Sequence, residues 1–371
     1  MPAMTDKPIQ PWQRLHPEFK LNGLPIALEA LEDVAYSLTK EGEAFEREYG
    51  EFLLDWLDQS EDIWVKTSGS TGAPKNWKVK KEHFLASARL TGEVFELFPG
   101  RRTLLGIPGS FIAGKMMFVR ALVLGLDLLV VRPSKNPLKK TGGRFSFVAM
   151  TPYQLSHSLE DISRVETILV GGAPIAKSQV QQLDGHRGRV VASYGMTETL
   201  THVALREVHP KFEPSFQALP GVHFTTDDRD CLCIQADYLG LESLQTEDLV
   251  ELIDSEHFIW KGRLDRVINS GGIKLFPEQI EDKLDALIPY RYFIGSIEHN
   301  HLGRQVVLFI ESEEVPVNLL EEIQNLADFE KAEKPKRIHW FSQFEELHSG
   351  KVDRLKTQNK TPDQVSELQI Q

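Results

Sequence analysis

Five short apolar runs, each closed by glycine or proline and set apart by stretches of helical periodicity, constrain this chain more than any other feature. They are "RTLLGIP" (102–108), "LDLLVVRP" (126–133), "FSFVAMTP" (145–152), "VETILVGG" (165–172) and "RVVASYG" (189–195). Runs of this length bounded by breakers predict strands. Between them, "FIAGKMMFVRALVLG" (111–125) and "IAKSQVQQLDGH" (175–186) predict helices. Strand and helix in alternation predict an α/β fold, a layered sheet that receives ligands at its strand ends. Architecture of that kind names no reaction by itself.

The 371 residues exceed what one core usually supports, so two domains are expected. The change of character falls in "FIWKGRLDRVINSGGIKLFPEQIEDKLDAL". There the strand-like "HFIWKG" (257–262) leads into a charged, glycine-bearing turn and an amphipathic helix opened by Pro277. Beyond it, "YFIGSIEH", "RQVVLFIES" and "RIHWF" predict strands and "NLLEEIQNLADF" a helix, enough for a small α+β domain. The expected division is a large layered α/β domain over residues 1–263 and a mobile C-terminal α+β domain over 264–371.

A net charge of −12 argues against a general nucleic-acid or anionic-membrane surface. An anionic ligand must then be met by local cations and backbone N–H groups. Cys231 and Cys233 in "RDCLCIQ" alternate onto one face of a strand, too close in sequence to staple anything. The N-terminal stretch has no signal pattern, and the longest greasy run, "ALVLGLDLLVV", is interrupted by Asp127 and too short to span a bilayer. A cytoplasmic, reduced protein without a membrane span is expected.

The segment "TSGSTGAPK" (67–75) gathers hydroxyls and glycines before a lysine. Such a loop lets backbone N–H groups and hydroxyls approach a phosphate closely while the lysine balances charge. It does not follow the Gly-x-x-x-x-Gly-Lys-Ser/Thr spacing of a nucleoside triphosphatase, since Ala73 stands four residues after Gly69 and Asn76 follows Lys75. A flexible surface turn is the alternative reading of the loop in isolation.

Four further segments follow in order: "SYGMTET" (193–199), "TEDLV" (246–250), "GRLDRVINSGGIKLFPEQIE" (262–281) and "SGKVDR" (349–354). With the loop, they make the chain resemble the adenylate-forming superfamily of acyl-CoA synthetases, carrier-protein adenylation domains and luciferases, from about Ile63 to Lys356. The chain is a short member, its phosphate loop coming early. The resemblance implies an enzyme that joins a carboxylic acid to ATP, releases pyrophosphate and passes the acyl group to a thiol such as CoA, with Mg²⁺ as the nucleotide's counterion.

Carried over residue by residue, the resemblance implies that Thr67, Ser68, Gly69, Ser70, Thr71, Gly72 and Lys75 hold the β- and γ-phosphates. Gly172, Ala173 and Pro174 line the adenine and acyl pocket, closed by Ser193, Tyr194, Gly195 and Met196. Thr197 bonds the α-phosphate and Glu198 holds Mg²⁺. Asp248 binds the ribose hydroxyls, with Glu247 standing where the family usually has glycine. Arg263 meets ribose or phosphate, and Asp265 is the hinge. Lys351 reaches the α-phosphate and the reacting carboxylate in the first step. In the second it gives way to the turn 269–274, where Gly271, Gly272 and Lys274 receive CoA.

For the acid, Phe111 takes the place of a histidine found in many members. Lys115, on an otherwise apolar helix, either snorkels outward or pairs with a negative group, which could be a second carboxylate of the substrate. Arg120 is a second candidate on that helix. "FIAGKMM" and the short N-terminus resemble the o-succinylbenzoate-CoA ligases of menaquinone biosynthesis, which act on a diacid. The alternatives are a ligase for an aryl or fatty acid, an enzyme loading a carrier protein, a phosphotransferase, and a nucleotide-binding module that no longer catalyses. Monomer and homodimer are both open.

Overall fold

The structure is a computed structural model that describes residues 9–66, 76–314, 316–326, 329–346 and 352–368. Its packing divides into two compact units. One comprises Met1–Ile175, Gln182–His223 and Gln235–Ser243, the other Ala176–Gln181, Phe224–Ile234 and Leu244–Gln371.

The first unit opens with a small hairpin, β1 (Lys20–Leu21) and β2 (Leu24–Pro25). Its two-residue turn, Asn22-Gly23, has positive φ at both positions (54° and 80°), the backbone that a tight hairpin needs and that asparagine and glycine tolerate best. Helices α1 (Leu28–Glu41) and α2 (Ala44–Leu57) pack together, followed by an antiparallel pair, β3 (Asp62–Lys66) and β4 (Asn76–Lys80), and helix α3 (Lys81–Val94). The alternating part then runs β5 (Arg102–Leu105), α4 (Ile112–Leu124), β6 (Asp127–Val130), β7 (Phe145–Met150), α5 (Pro152–His157), β8 (Val165–Val170), the short α6 (Lys177–Gln181), which by packing belongs to the second unit, and β9 (Arg189–Gly195). Strands β10 (His202–His209) and β11 (Phe216–Ala218) complete it.

In space the strands lie in the order β2, β1, β6, β5, β7, β8, β9, β10, β11. From β1 to β9 neighbours are parallel, while β2 and β10 join antiparallel at either side. Parallel strands are covered on both faces, which explains why they read as nearly unbroken apolar runs: Phe145, Phe147, Val148, Ala149 and Met150 of β7 are all buried. Helix α4 is buried continuously from Met116 to Leu122 and ends at Gly125, whose left-handed backbone (φ 72°) caps it.

Expectation and structure part at α6. The predicted helix over 175–186 shrinks to Lys177–Gln181, and none of its residues is buried. A helix without a packed face has little to propagate it.

The chain continues through β12 (Val222–Thr226), β13 (Cys231–Ala236), β14 (Leu241–Leu252) and β15 (His257–Arg263). Cys231 and Cys233 are buried free thiols in β13. The C-terminal part holds β16 (Ile268–Ser270), β17 (Ile273–Leu275), α7 (Pro277–Leu284), β18 (Arg291–His299), β19 (Gly303–Glu311), α8 (Val317–Asn325), β20 (Arg337–Phe341), α9 (Arg354–Asn359) and β21 (Gln364–Glu367). Its sheet runs β17, β16, β19, β20, β21, with β18 also on β19, around a core that includes Ile280, Leu284, Ile294, Leu308, Ile338 and Trp340. By packing, the second unit also takes in the β14–β15 hairpin from Leu244 onward, ahead of the 263/264 division expected from sequence. Among the described residues no helix is long and apolar enough to cross a membrane.

Candidate active site

In the first unit, β8 and β9 are parallel neighbours in register at Val170 and Ala192, so the segments leaving their C-terminal ends run side by side. The Ser193 hydroxyl donates to the Val170 carbonyl at 3.0 Å. A Cβ on Gly171 would lie 2.4 Å from that hydroxyl oxygen, so a larger residue there would displace the Ser193 hydroxyl. Gly172 (φ 88°), Ala173 and Pro174 follow, all exposed. Tyr194 is half-buried with its ring 5.7 Å from that of Phe216. The sequence-predicted residues 172–174 and 193–196 therefore share one strand-end surface, small on one side and aromatic on the other.

Gly195 pairs with His202 across β9 and β10, and a Cβ on it would meet the Thr201 carbonyl oxygen at 2.2 Å. The next turn is tied by a fully buried hydroxyl that sequence reasoning gave no role. Thr199 Oγ1 accepts the Met196 N–H at 2.9 Å and lies 2.7 Å from the Thr201 carbonyl, to which it donates. Leu200, with φ 63°, donates its N–H to the Thr197 carbonyl at 3.0 Å. This turn leaves Thr197 and Glu198 half-exposed. A hydroxyl residue directly after the acidic one was the available signal.

The second unit places Asp248 opposite Arg263 on the β14–β15 ladder. Asp248 is buried, its carboxylate accepting the Trp260 indole N–H at 3.1 Å and its own N–H donating to Thr246 Oγ1 at 3.1 Å. Glu247 lies in strand β14, in a turn-free stretch, and its carboxylate pairs with Arg229 at 3.2 Å, so the strand holds a side chain where the family usually has glycine. Arg263 grips Asp265 with two hydrogen bonds of 3.0 Å. Burial pushes the Asp265 carboxyl up, but the Arg263 bonds and the charges of Arg263 and Arg266 outweigh it and hold it below its usual range. Arg263 is correspondingly raised, its bonds to Asp265 outweighing its desolvation.

Gly271 and Gly272 form the two-residue turn between β16 and β17, with φ 60° and 84°, and Lys274 follows on β17, exposed. Positive φ at both central positions is the requirement of a tight I′ hairpin, which makes these glycines structural whatever else they serve. The phosphate-loop residues Thr67, Ser68, Gly69, Ser70, Thr71, Gly72 and Lys75, and also Lys351, lie outside the described residues. Their described neighbours are the paired ends Lys66 and Asn76 of β3 and β4, and an antiparallel bridge between Glu346 and Val352.

Helix α4 carries the acid-site candidates. Phe111 is its N-cap and 37% exposed. The Lys115 ammonium lies 5.1 Å from the centre of the Phe52 ring on α2, and its charge lowers Asp55, against the larger upward push of burial. A cation over an aromatic face beside an acid has a protein partner already. Arg120 is 2% exposed, and the groups it bonds are Thr91 Oγ1 (3.3 Å), Thr201 Oγ1 (3.0 Å), Met117 Sδ (3.7 Å) and His202 Nδ1 (3.5 Å). None is a carboxylate, and burial lowers the guanidinium to about 10, where it stays protonated at neutral pH.

No cluster of three or more His, Cys, Asp or Glu side chains suited to a metal occurs among the described residues. A lone half-exposed carboxylate at Glu198 fits a magnesium ion only as one ligand among phosphate oxygens and waters, the manner in which that ion accompanies nucleotides.

Residues 63–224 match the family described as AMP-binding enzyme. The chain is 33% identical to an acyl-CoA synthetase (AMP-forming)/AMP-acid ligase II-like protein from Dyadobacter fermentans, whose crystal structure aligns over 88% of this chain and 97% of that one with a TM-score of 0.58. It is 25% identical over 346 residues to the 2-succinylbenzoate–CoA ligase of Salmonella typhimurium, covering 85% of this chain and 74% of that protein. The fold is also that of the O-succinylbenzoate coenzyme A synthetase of Bacillus subtilis solved with ATP and magnesium, with TM-score 0.69, 16% identity, and 88% and 81% of the two chains covered.

Proposed function

Because the chain belongs to the AMP-binding enzymes, among the AMP-forming acyl-CoA synthetases and AMP-acid ligases, we propose that it converts a dicarboxylic aromatic acid, 2-succinylbenzoate, to its CoA thioester. The observation that carries the nucleotide part is the registered pair of strand ends, Gly171–Pro174 beside Ser193–Glu198. The exposed small residues admit a flat base beside Tyr194, and the Thr199-tied turn presents a hydroxyl and a carboxylate. The 2-succinylbenzoate–CoA ligases among its relatives support the choice of acid.

In the first half-reaction a carboxylate oxygen attacks the α-phosphorus of ATP, the bond from that phosphorus to the bridging oxygen breaks, and pyrophosphate leaves with the electron pair. Every species gathered there is anionic, so the site works by positioned positive charge. Thr197 donates to an α-phosphate oxygen, Lys75 and the hydroxyls of 67–71 meet the outer phosphates, and Lys351 supplies a point charge to the attacking carboxylate and the phosphorus it reaches. Asp248 accepts from the ribose hydroxyls and Arg263 neutralises ribose-side phosphate charge. Glu198 would hold magnesium, which would supply charge neutralisation to the phosphates. In the second half-reaction the CoA sulfur attacks the acyl carbonyl, AMP leaves, and the thiol proton passes to solvent. Gly271, Gly272 and Lys274 serve the incoming CoA.

The substrate's second carboxylate needs a cation, and Arg120 fits that need best. A buried guanidinium bonded to hydroxyls, a thioether and an imidazole carries charge that a substrate carboxylate would compensate. Lys115, on the same helix, is the alternative cation, and to meet the carboxylate it would have to leave its place over Phe52.

Lys351→Ala tests the assignment of the first step. ATP–pyrophosphate exchange driven by 2-succinylbenzoate should be lost, while thioester formation from supplied acyl-adenylate and CoA continues. Equal loss of both steps would remove Lys351 from the adenylation role.

A further inference from the structure

Three positions after Lys351, Arg354 makes a bidentate ion pair that the mechanism above does not use. Its Nη1 donates to Glu281 Oε1 at 2.7 Å and its Nη2 to Oε2 at 2.9 Å. The two side chains are only 24% and 17% exposed. Glu281 stands on α7, the helix that directly follows the proposed hinge and the Gly271-Gly272 turn. Both partners are fixed from β18 as well. Glu281 Oε1 accepts the Ile294 N–H at 2.8 Å, the Tyr292 hydroxyl donates to the Glu281 carbonyl at 2.7 Å, and the Arg354 guanidinium lies 5.4 Å from the centre of the Phe293 ring. Burial pushes the Glu281 carboxyl up, against the pull of Arg354; for Arg354, Glu281 outweighs desolvation and raises it.

The chain next to Lys351 is held from the other side too. Val352 bridges to Glu346, the Asp353 N–H donates to the Glu345 carbonyl at 2.8 Å, and the Asp353 carboxylate caps α9 by accepting the Lys356 N–H at 3.0 Å. The Glu345 N–H in turn donates to the buried Thr357 hydroxyl at 3.1 Å. These bonds keep 352–354 in register with 345–346. Arg354 ties that stretch to α7.

A buried ion pair is weak evidence of stability, because apolar replacements often do as well; what a bidentate arginine–carboxylate pair adds is a fixed orientation. We propose that Glu281 and Arg354 are positioning residues for adenylation: they lock the backbone at 352–354, which adjoins Lys351, to α7, the helix behind the proposed hinge. The inference rests on the reading of Lys351 given above. Thiol transfer, which takes place with Lys351 withdrawn, does not depend on the pair.

Arg354→Lys keeps the charge and gives up the fork, which spares the fold where Arg354→Ala would strand a buried carboxylate. With 2-succinylbenzoate as the acid, Arg354→Lys should lower kcat of ATP–pyrophosphate exchange roughly 10- to 100-fold, the scale on which small misplacements of a reacting group act, and leave KM for ATP within about 2-fold. Thioester formation from supplied adenylate and CoA should stay within about 2-fold of the wild type, since no placed group has been removed from it. Glu281→Gln, which keeps the shape and loses the charge, should show the same split. Equal decline of both half-reactions, as a general loss of structure would give, or undiminished exchange in both variants, overturns the proposal. Failure of the underlying reading has a separate signature: wild-type enzyme that shows no exchange, or Lys351→Ala that exchanges normally, removes the function of Lys351 and this inference with it.

Discussion

His202 and Arg120 lie together inside the first unit, 2% and 5% exposed for the arginine and histidine respectively, with His202 Nε2 unpartnered among the described residues. Burial, and then the charge of Arg120, hold the imidazole well below its usual value. The unfolded chain takes up a proton at this histidine below about pH 6.5, whereas the folded one does not. The unfolded state therefore binds more protons there, so the neutral-His contribution is present above about pH 6.5 and is lost as pH falls below it, by at most about 1.4 kcal/mol per pH unit. His83, His186 and His339 are shifted in the same direction, chiefly by burial, and add to the slope. The urea midpoint should thus fall between pH 7.5 and pH 5.5, and His202→Gln should flatten that fall without abolishing it. Identical slopes in the two proteins would show that His202 titrates normally in the fold.

At the scale of elements, the meeting of β9 with β10 sets the turn that carries Thr197 and Glu198. Gly195→Ala should cost about 1–3 kcal/mol, the range for forced overpacking, because its Cβ would fall on a backbone carbonyl that has no flexible end to move aside. Chemical denaturation measures that cost, and a variant as stable as the wild type would mean the strands can part without penalty. The five apolar runs from Arg102 to Gly195 were legible in the sequence because parallel strands bury both faces and leave few polar interruptions. Of their glycine and proline tails, Gly171 and Gly172 lie beyond β8 in the connection that lines the proposed site, while Gly195 closes β9 itself. Helices α1 to α3 were not placed in advance. Helix α1 buries only Leu31 and Ala35, and α3 hides Lys81 completely, its ammonium 2.6 Å from Asp58 and 5.3 Å from the centre of the Trp12 ring, where a lysine would be assigned to solvent. The motifs proposed the nucleotide residues by their spacing. Of the partners that shape them, Thr199 closes the 193–199 motif itself, whereas Trp260, which donates to Asp248, stands twelve residues away on the next strand.

For the whole molecule, the account requires that one chain serve two reactions in succession, with Lys351 present for the first and absent from the second. Arg263 and Asp265 grip each other in a short turn between β15 and β16, so a rotation there must carry or break that pair. Asp265→Pro, which restricts the backbone at the proposed pivot, should spare at most adenylation and stop the full cycle. Steady CoA-thioester production by that variant would remove the hinge from residue 265. The central claim is tested most directly by pyrophosphate release with ATP and Mg²⁺ over a panel of 2-succinylbenzoate, benzoate and a medium-chain fatty acid, each with and without CoA, in the wild type and in Arg120→Met. The account predicts turnover with the diacid, its CoA thioester as product, and a KM for the diacid raised roughly 10- to 100-fold by Arg120→Met, the scale of one charged hydrogen bond. Turnover with the monoacids alone, or a diacid KM unmoved by the loss of Arg120, would contradict it.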